Sequence, residues 1–212
     1  MEILAGSLLT PDTVNPTDFP LMDCPIRTKR TRTQFDQSKI DPCSCFYVAA
    51  ICAAFDVYER RGDSVMQVIL SGWEALKRDG KFRPGTGGRM ADGVDYARRA
   101  YNAAYPNQKV ASYRVDINSL PFWRALARGW APCIGRYASK SDVLDIAKDG
   151  VLDANVAGAG KFGHLFRVQA GPVGIDNYPG RTGWINKFKM PDFDKKVESG
   201  YLYPSAYIFL PK

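Results

Sequence analysis

Four kinds of residue that together support nucleophilic catalysis occur in order along this chain: a glutamine, a cysteine, a histidine and a carboxylate or amide. Gln37 lies six residues before Cys43, and Cys43 precedes an apolar segment that continues to Phe55. A thiol at the start of a helix is close to unbonded backbone N–H groups and to the positive end of the helix dipole, and both favour the thiolate. Cys43 is therefore the candidate nucleophile, and the side-chain amide of Gln37 is a candidate oxyanion donor.

A catalytic thiolate needs an imidazole as its general acid and base, and the chain has one histidine that could provide it. His164 is the single histidine of the chain, and it begins a segment with the pattern of a strand. Asp176 and Asn177 follow on a later predicted strand, and either side chain can hold an imidazole ring in place. Cys45 stays open as an alternative nucleophile, because it is only two residues from the first thiol.

Each of these residues also has a purely structural interpretation. Cys43 and Cys45 are consistent with buried thiols in a crowded helix, and a single histidine is more often structural than catalytic. Asp176 and Asn177 precede Tyr-Pro-Gly, a combination typical of turns. The catalytic hypothesis therefore depends on the order of the residues along the chain rather than on any one of them.

Helices are predicted in the first half of the chain and strands in the second, which is an α+β layout. Apolar periodicity predicts three long helices, over residues 42–61, 64–79 and 90–104. The first of these would have Asp41 as its N-cap and Pro42 at its first position. The glycine-rich segment 81–89 is predicted to be a loop and does not match a phosphate-binding loop. Alternation and breaker residues predict six strands, at 110–115, 131–137, 164–169, 174–178, 183–189 and 206–210, and two short helices, at 121–128 and 141–148.

The order of these residues and elements resembles that of papain-like cysteine peptidases. Gln37 and Cys43 have the family's spacing between glutamine and nucleophile, and Phe46 matches the aromatic residue that follows. Gly163-His164 opens a strand as it does in the family, and Asp176-Asn177-Tyr178-Pro179 is similar to the Asp-Ser-Tyr-Pro of divergent and viral members.

The resemblance covers roughly residues 19–190 and implies a papain-like fold, with a helical N-terminal lobe around a central nucleophile helix and a β-rich C-terminal lobe. Three segments of one domain are then expected: an extended strap at 1–36, the helical lobe at 37–107 and the β-rich lobe at 108–212.

The family motif around the nucleophile can be aligned with this sequence in two ways, with either Cys43 or Cys45 as the nucleophile. The family's Cys-Gly-Ser-Cys-Trp is replaced here by Pro-Cys-Ser-Cys-Phe. The glutamine spacing and the predicted helix start at Asp41-Pro42 favour Cys43. With Cys45 as nucleophile, Phe46 would take the place of the tryptophan, and Gln37 would be eight residues away.

The activity that the resemblance implies is hydrolysis of peptide or isopeptide bonds. The residues that would carry it are Cys43, His164, Asp176 and Gln37, with Cys45 and Asn177 as alternates. No cofactor is expected, and one histidine cannot build a Cys/His metal site of usual spacing. The divergent pattern is similar to viral and bacterial members, so we expect a bacteriophage-encoded, virion-associated enzyme acting on a protein, on a virion partner or on cell-wall peptides.

Two other functions stay open from the sequence. A catalytically inactive papain-like fold would serve as a structural or binding protein of a virus particle. Acyl transfer is a third hypothesis, because transglutaminase-like enzymes share the triad.

Composition restricts the compartment and the partners. Five cysteines, an odd number without a Cys-x-x-Cys pair, predict a reducing compartment in which most thiols are buried. No apolar run approaches the roughly 18–20 residues that cross a bilayer, and a secretory signal is not recognisable, so a cytoplasmic or virion-associated protein without a membrane partner is expected. The net charge is +7, and the four cations between Arg27 and Arg32 are interpreted as a solvated segment. A nucleic-acid partner is not expected, because no base-stacking aromatic pattern accompanies them.

Overall fold

The computed structural model describes residues 26–27, 35–84, 87–117, 119–137, 163–169, 173–175, 177 and 202–212. Its helices are α1 (Cys45–Val57), α2 (Asp63–Arg78), α3 (Met90–Ala104) and α4 (Leu120–Ala127), with a 3-10 turn at Gln37–Lys39. Its strands are β1 (Phe82–Arg83), β2 (Gly87–Gly88), β3 (Val110–Asp116), β4 (Cys133–Tyr137), β5 (Gly163–Gln169), β6 (Val173–Ile175) and β7 (Leu202–Pro211). The predicted α+β class is confirmed.

Five of the described strands form one antiparallel sheet in the order β3-β7-β4-β5-β6, and β1 pairs with β2 in a separate hairpin. β4 and β5 pair without interruption, so that Cys133 lies opposite Arg167 and Arg136 lies opposite His164. β5 pairs in turn with β6, from Arg167 opposite Ile175 to Gln169 opposite Val173. This uninterrupted register determines which face of β5 each side chain occupies.

α1 lies at the centre of the hydrophobic core. Every residue from Phe46 to Val57 is buried, because α3 and α2 pack against one side of the helix and β5, β7 and β4 against the other. A helix that is covered all round has no polar stripe, which explains the nearly uniform apolar sequence of this segment. One continuous core joins the helical half of the chain to the strands of the second half. No helix in the described ranges is long and apolar enough to cross a membrane.

The prediction of the first helix at 42–61 is wrong at both ends. α1 ends at Val57, four residues before the predicted end. α1 begins at Cys45 with Ser44 as its N-cap, three residues after the predicted first position at Pro42. The carboxylate of Asp41 accepts the N–H of Cys43, two residues ahead, and so closes a turn instead of starting the helix.

The other predicted elements that the structure describes lie within two residues of their predicted bounds, except that β6 ends three residues early and β7 begins four residues early. The hairpin of β1 and β2 falls inside the predicted loop, since strands of two residues have no periodicity to detect. The predicted helix at 141–148 and strand at 183–189 lie outside the described residues. Of the predicted strap, the structure describes residues 26–27 and 35–36.

Arg27 corrects the interpretation of the basic segment as a solvated one. Its side chain is 5% exposed and lies 3.4 Å from the carboxylate of Glu59, after α1. The guanidinium also lies 5.7 Å from the ring centre of Trp130, and the backbone N–H donates to the carbonyl of Arg128. Arg27 therefore attaches the N-terminal segment to the core, whereas the other cations of the segment lie outside the described residues.

The contact between α1 and α3 depends on a glycine. A methyl group placed on Gly93 would lie 2.2 Å from the carbonyl oxygen of Phe46, closer than real atoms approach. Glycine is a poor helix former, so its presence inside α3 reflects this close approach of the two backbones.

We predict that Gly93→Ala destabilises the protein, although alanine favours an isolated helix by about 1 kcal/mol. The added methyl group forces the two helices apart, and we expect the free energy of unfolding in urea to fall by about 1–3 kcal/mol. Ala103→Gly, at an exposed position of the same helix, measures the propensity contribution alone. A Gly93→Ala protein that is more stable than the wild type would contradict the close contact.

Candidate functional site

The residues that lead into α1 form a hydrogen-bonded loop. The side-chain Nε2 of Gln37 donates to the carbonyl of Pro42 at 2.6 Å, and the carbonyl of Gln37 accepts the N–H of Asp41 at 3.0 Å. Because the Pro42 carbonyl and the Cys43 N–H belong to one peptide group, the Gln37 amide lies beside the backbone of Cys43. The six-residue spacing therefore places glutamine and cysteine next to each other in space.

The orientation of Gln37 differs from that of an oxyanion donor open to a substrate. The residue is 1% exposed, and its Nε2 already donates to a backbone carbonyl. Its Oε1 is buried and has no hydrogen-bond partner within the described structure. In this arrangement Gln37 positions the loop.

Cys43 lies in the turn before α1, with its thiol partly exposed. Its backbone N–H donates to the Asp41 carboxylate at 2.7 Å. Burial raises the pKa of Asp41, while this hydrogen bond opposes that change. An oxyanion beside the Cys43 N–H would compete with a carboxylate for the same donor, so this N–H is not available to stabilise a tetrahedral intermediate.

Cys45 is the first residue of α1, and its thiol is free and partly exposed. In the part of the chain that the structure describes, its backbone N–H has no hydrogen-bond partner. Unbonded N–H groups at the start of a helix can bind an anion, and the positive end of the helix dipole favours negative charge at the same position. Cys45 therefore combines the two properties that the sequence assigned to Cys43.

The side of α1 that Cys45 occupies follows from the contacts of later residues. Three positions of α1 make polar contacts with the strand side of the core: Ala49, Cys52 and Asp56. Together with Cys45 they have the spacing i, i+4, i+7 and i+11, which is one face of a helix. Cys45 thus begins the stripe that faces the sheet.

His164 is the second residue of β5 and is 3% exposed. Side chains alternate along a strand, so His164 and Arg167, three residues apart, occupy opposite faces. Arg167 forms an ion pair with Asp56 of α1, and Cys133, opposite it in the register, donates to the Ala49 carbonyl at 3.5 Å. His164 therefore lies on the face turned away from α1.

The beginning of β5 is nevertheless close to the loop that carries the cysteines. The described pairing of β5 with β6 ends at Arg167 and Ile175, so His164 lies where β5 extends beyond this pairing. Two residues after Ile175, the carbonyl of Asn177 accepts the backbone N–H of Gln37 at 2.8 Å. A cysteine thiol could therefore reach His164 only past this end of the sheet, because α1 packs on the opposite face.

Among the described residues, the side-chain hydrogen bonds of Asn177 go to groups other than the histidine. Its buried side chain donates to the carbonyl of Phe35 at 2.8 Å and to the sulfur of Cys52 at 3.5 Å. Its Oδ1 has no hydrogen-bond partner among the described residues. Asn177 is therefore a residue that attaches the N-terminal segment to α1, and Asp176, which lies outside the described residues, stays the predicted partner of the imidazole.

A buried polar cluster beneath α1 was missed at the sequence level. The side chains of Arg167 and Asp56 are 0% and 3% exposed and form an ion pair. Burial raises the pKa of the nearby Cys52 to about 11 and raises that of Cys133 as well. A signal was present, since Asp56 is the one charged residue in an otherwise apolar helix, and a buried charge requires a partner.

Comparison of the chain with protein-family models, with curated proteins and with solved structures finds no match. Among the described residues, no three His, Cys, Asp or Glu side chains are grouped as ligands for a metal ion. The function of the protein is therefore inferred from the geometry of the cysteines, the histidine and their surroundings.

We predict that Arg167→Met lowers the free energy of unfolding by about 3–5 kcal/mol, because the carboxylate of Asp56 is left buried without its counter-charge. Adding Asp56→Leu removes that charge and should restore much of the loss. Urea unfolding measures both variants. Arg98→Met, which breaks the partly exposed pair with Asp95, is the control and should cost less than about 1 kcal/mol. Equal effects of Arg167→Met and Arg98→Met would contradict the role of the buried pair.

We also predict the order in which iodoacetamide modifies the thiols at neutral pH. Cys45 should react about two- to fivefold faster than Cys43, because it is the first residue of α1 and its backbone N–H is unbonded within the described structure. Cys52 should not react without unfolding, since it is fully buried with a pKa of about 11. Mass spectrometry of peptides over time gives each rate, and the urea-unfolded chain, in which the thiols should react alike, is the reference. Faster modification of Cys43 than of Cys45 would reverse the assignment.

Proposed function

We propose that this protein is a papain-like cysteine hydrolase that cleaves peptide or isopeptide bonds, with Cys45 as nucleophile and His164 as acid and base. The observation that carries the proposal is the position of Cys45: a partly exposed thiol at the first residue of a buried helix, with an unbonded backbone N–H. The packing of that helix against an antiparallel sheet that contains the single histidine supports a papain-like fold.

The chemistry follows from these positions. The Cys45 thiolate attacks the substrate carbonyl carbon, and the oxyanion that forms accepts a hydrogen bond from the Cys45 backbone N–H. The imidazolium of His164 gives its proton to the leaving amine, and an acyl-enzyme remains. His164 then removes a proton from water, which attacks the acyl carbonyl, releases the acid and regenerates the thiolate. Asp176 is the proposed group that orients the imidazole.

The choice of Cys45 over Cys43 depends on the Asp41 carboxylate. It occupies the N–H of Cys43, whereas the N–H of Cys45 is unbonded within the described structure. The same choice aligns Ser44-Cys45-Phe46 with the Ser-Cys-Trp of the papain-like pattern, and Ser44 is the N-cap of α1. Gln37, eight residues before Cys45, then supports the loop.

The second candidate is a catalytically inactive protein that uses this fold as a structural or binding module, as in a virus particle. Its support is the position of His164, which is 3% exposed on the sheet face turned away from α1. The amide of Gln37 is likewise directed at a backbone carbonyl. Under this alternative Cys45 is an ordinary thiol at a helix start.

The pH dependence of Cys45 alkylation distinguishes the two candidates. A thiolate paired with imidazolium persists below the usual thiol pKa of about 8.5, so the wild type should react well below this pH. His164→Ala should move the inflection upward toward that value and slow hydrolysis of a fluorogenic peptide library about 100-fold or more.

Two controls belong to this experiment. Cys43→Ser should retain hydrolysis and Cys45→Ser should lose it, which separates the two thiols by a matched change. Thermal unfolding of His164→Ala shows whether the variant is folded. A folded His164→Ala protein with an unchanged alkylation profile would refute the hydrolase and support the inactive module.

A further inference from the structure

The side chain of Asn177 connects three segments of the chain at one buried point. The residue is 2% exposed and lies two positions after the end of β6. Its Nδ2 donates to the carbonyl of Phe35 at 2.8 Å and to the sulfur of Cys52, in α1, at 3.5 Å. Its backbone carbonyl accepts the N–H of Gln37 at 2.8 Å. The N-terminal segment, α1 and the chain after β6 therefore meet at this asparagine.

A series of hydrogen bonds leads from Asn177 to the start of α1. Gln37, which is bonded to the Asn177 carbonyl, accepts the N–H of Asp41 at 3.0 Å. The Asp41 carbonyl accepts the hydroxyl of Ser44 at 2.6 Å and the backbone N–H of the same serine at 3.0 Å. Ser44 is the N-cap of α1 and immediately precedes Cys45. The series thus joins Asn177 to the residue before the proposed nucleophile.

The first turn of α1 depends on this support from the loop. An N-cap serine ordinarily accepts a backbone N–H of the first turn through its side chain. The Ser44 side chain makes no such bond and donates to the Asp41 carbonyl instead. Helix ends fray, and a helix start without a side-chain cap has less to hold it. The loop therefore determines how firmly the Cys45 thiol is held.

Asn177 lies on the histidine side of the proposed site. β6 pairs with β5, the strand that carries His164, and ends two residues before Asn177. The ion pair of Arg167 and Asp56 also holds α1 to β5, but Asp56 lies eleven residues beyond Cys45 along the helix. Asn177 supplies a second connection, at the cysteine end of α1. A thiol and its imidazole must stay within hydrogen-bond reach, about 3 Å, so this end is where a loss of support affects the chemistry.

Two buried acceptors beside this connection are unpaired. The Oδ1 of Asn177 and the Oε1 of Gln37 have no hydrogen-bond partner within the described structure. A buried acceptor without a partner lowers stability. Both amides use their donors to hold backbone carbonyls, those of Phe35 and Pro42, and leave their acceptors unused. Departures of this kind are expected at functional sites, where a geometry is retained although it lowers stability.

We propose that Asn177 is a positioning residue of the hydrolase: it holds the loop before α1 against the end of the β5–β6 pair and so keeps the Cys45 thiol within reach of His164. This inference rests on the proposed hydrolase function. It assigns the Asn177 side chain to the loop rather than to the imidazole ring. Its loss should therefore weaken the pairing of thiolate with imidazolium although both groups are still present.

The pH dependence of Cys45 alkylation, measured in the full chain carrying Asn177→Ala, tests this inference. We expect the inflection to move upward by about one pH unit, so that the rate at about pH 6 falls about tenfold, because a thiolate that is no longer paired with His164 takes up a proton. Loosening of the structure alone would instead raise the rates of Cys45 and Cys52 without moving the inflection. An unmoved inflection in the folded variant overturns the inference.

The matched control is Asn102→Ala. The Asn102 side chain also makes two hydrogen bonds, both with the backbone of Val110, at 2.8 and 3.0 Å, and joins α3 to β3 at the opposite edge of the described sheet. This variant should leave the inflection of Cys45 unchanged, and an equal shift in both variants overturns the inference. Asn177→Ser, which leaves a smaller cavity, replaces Asn177→Ala if thermal unfolding shows that the alanine variant is not folded.

The wild type distinguishes failure of this inference from failure of the hydrolase. A low wild-type inflection that is lost in His164→Ala and kept in Asn177→Ala supports the hydrolase and overturns the role of Asn177. A wild-type inflection at the usual thiol pKa of about 8.5 refutes the hydrolase. The positioning role is then overturned with it, because there is no pairing of Cys45 with His164 to maintain.

Discussion

Asp56 and Arg167 are both removed from solvent, and each provides a counter-charge for the other there. Because one belongs to α1 and the other to β5, the pair holds the helix at one rotation relative to the sheet. At this rotation Ala49 and Cys52 contact Cys133 and Asn177. The position of Cys45, at the start of the same stripe, is a consequence of a charge pair eleven residues further along the helix.

The loop before α1 adds a second constraint, since it decides what each thiol can do. Asp41 closes the turn through the N–H of Cys43, and Gln37 supports the turn through the carbonyl of Pro42. The first N–H of the helix proper, that of Cys45, is left without a partner in the described residues. The proposed nucleophile and the proposed oxyanion donor thereby coincide at one residue.

The positions of the elements were largely predictable, and the site was only partly so. Strong periodicity located α2 and α3 to within one residue, and alternation located β3 and β5 equally well. The start of α1 was mistaken by three residues, because Asp41 and Pro42 satisfy the rules for a helix start without forming one. That error is small for the fold but decisive for chemistry, since it separates Cys43 from Cys45.

The amino-acid order alone established an α+β chain with a thiol-bearing apolar helix and a histidine at a strand start, because these properties depend on local periodicity. Tertiary structure decided which thiol has an unbonded N–H and which face of β5 carries His164. It also decided that the side chain of Asn177 donates a hydrogen bond to the sulfur of Cys52. Strand pairing and long-range hydrogen bonds determine these features, and neither can be recognised from a periodic pattern in the sequence.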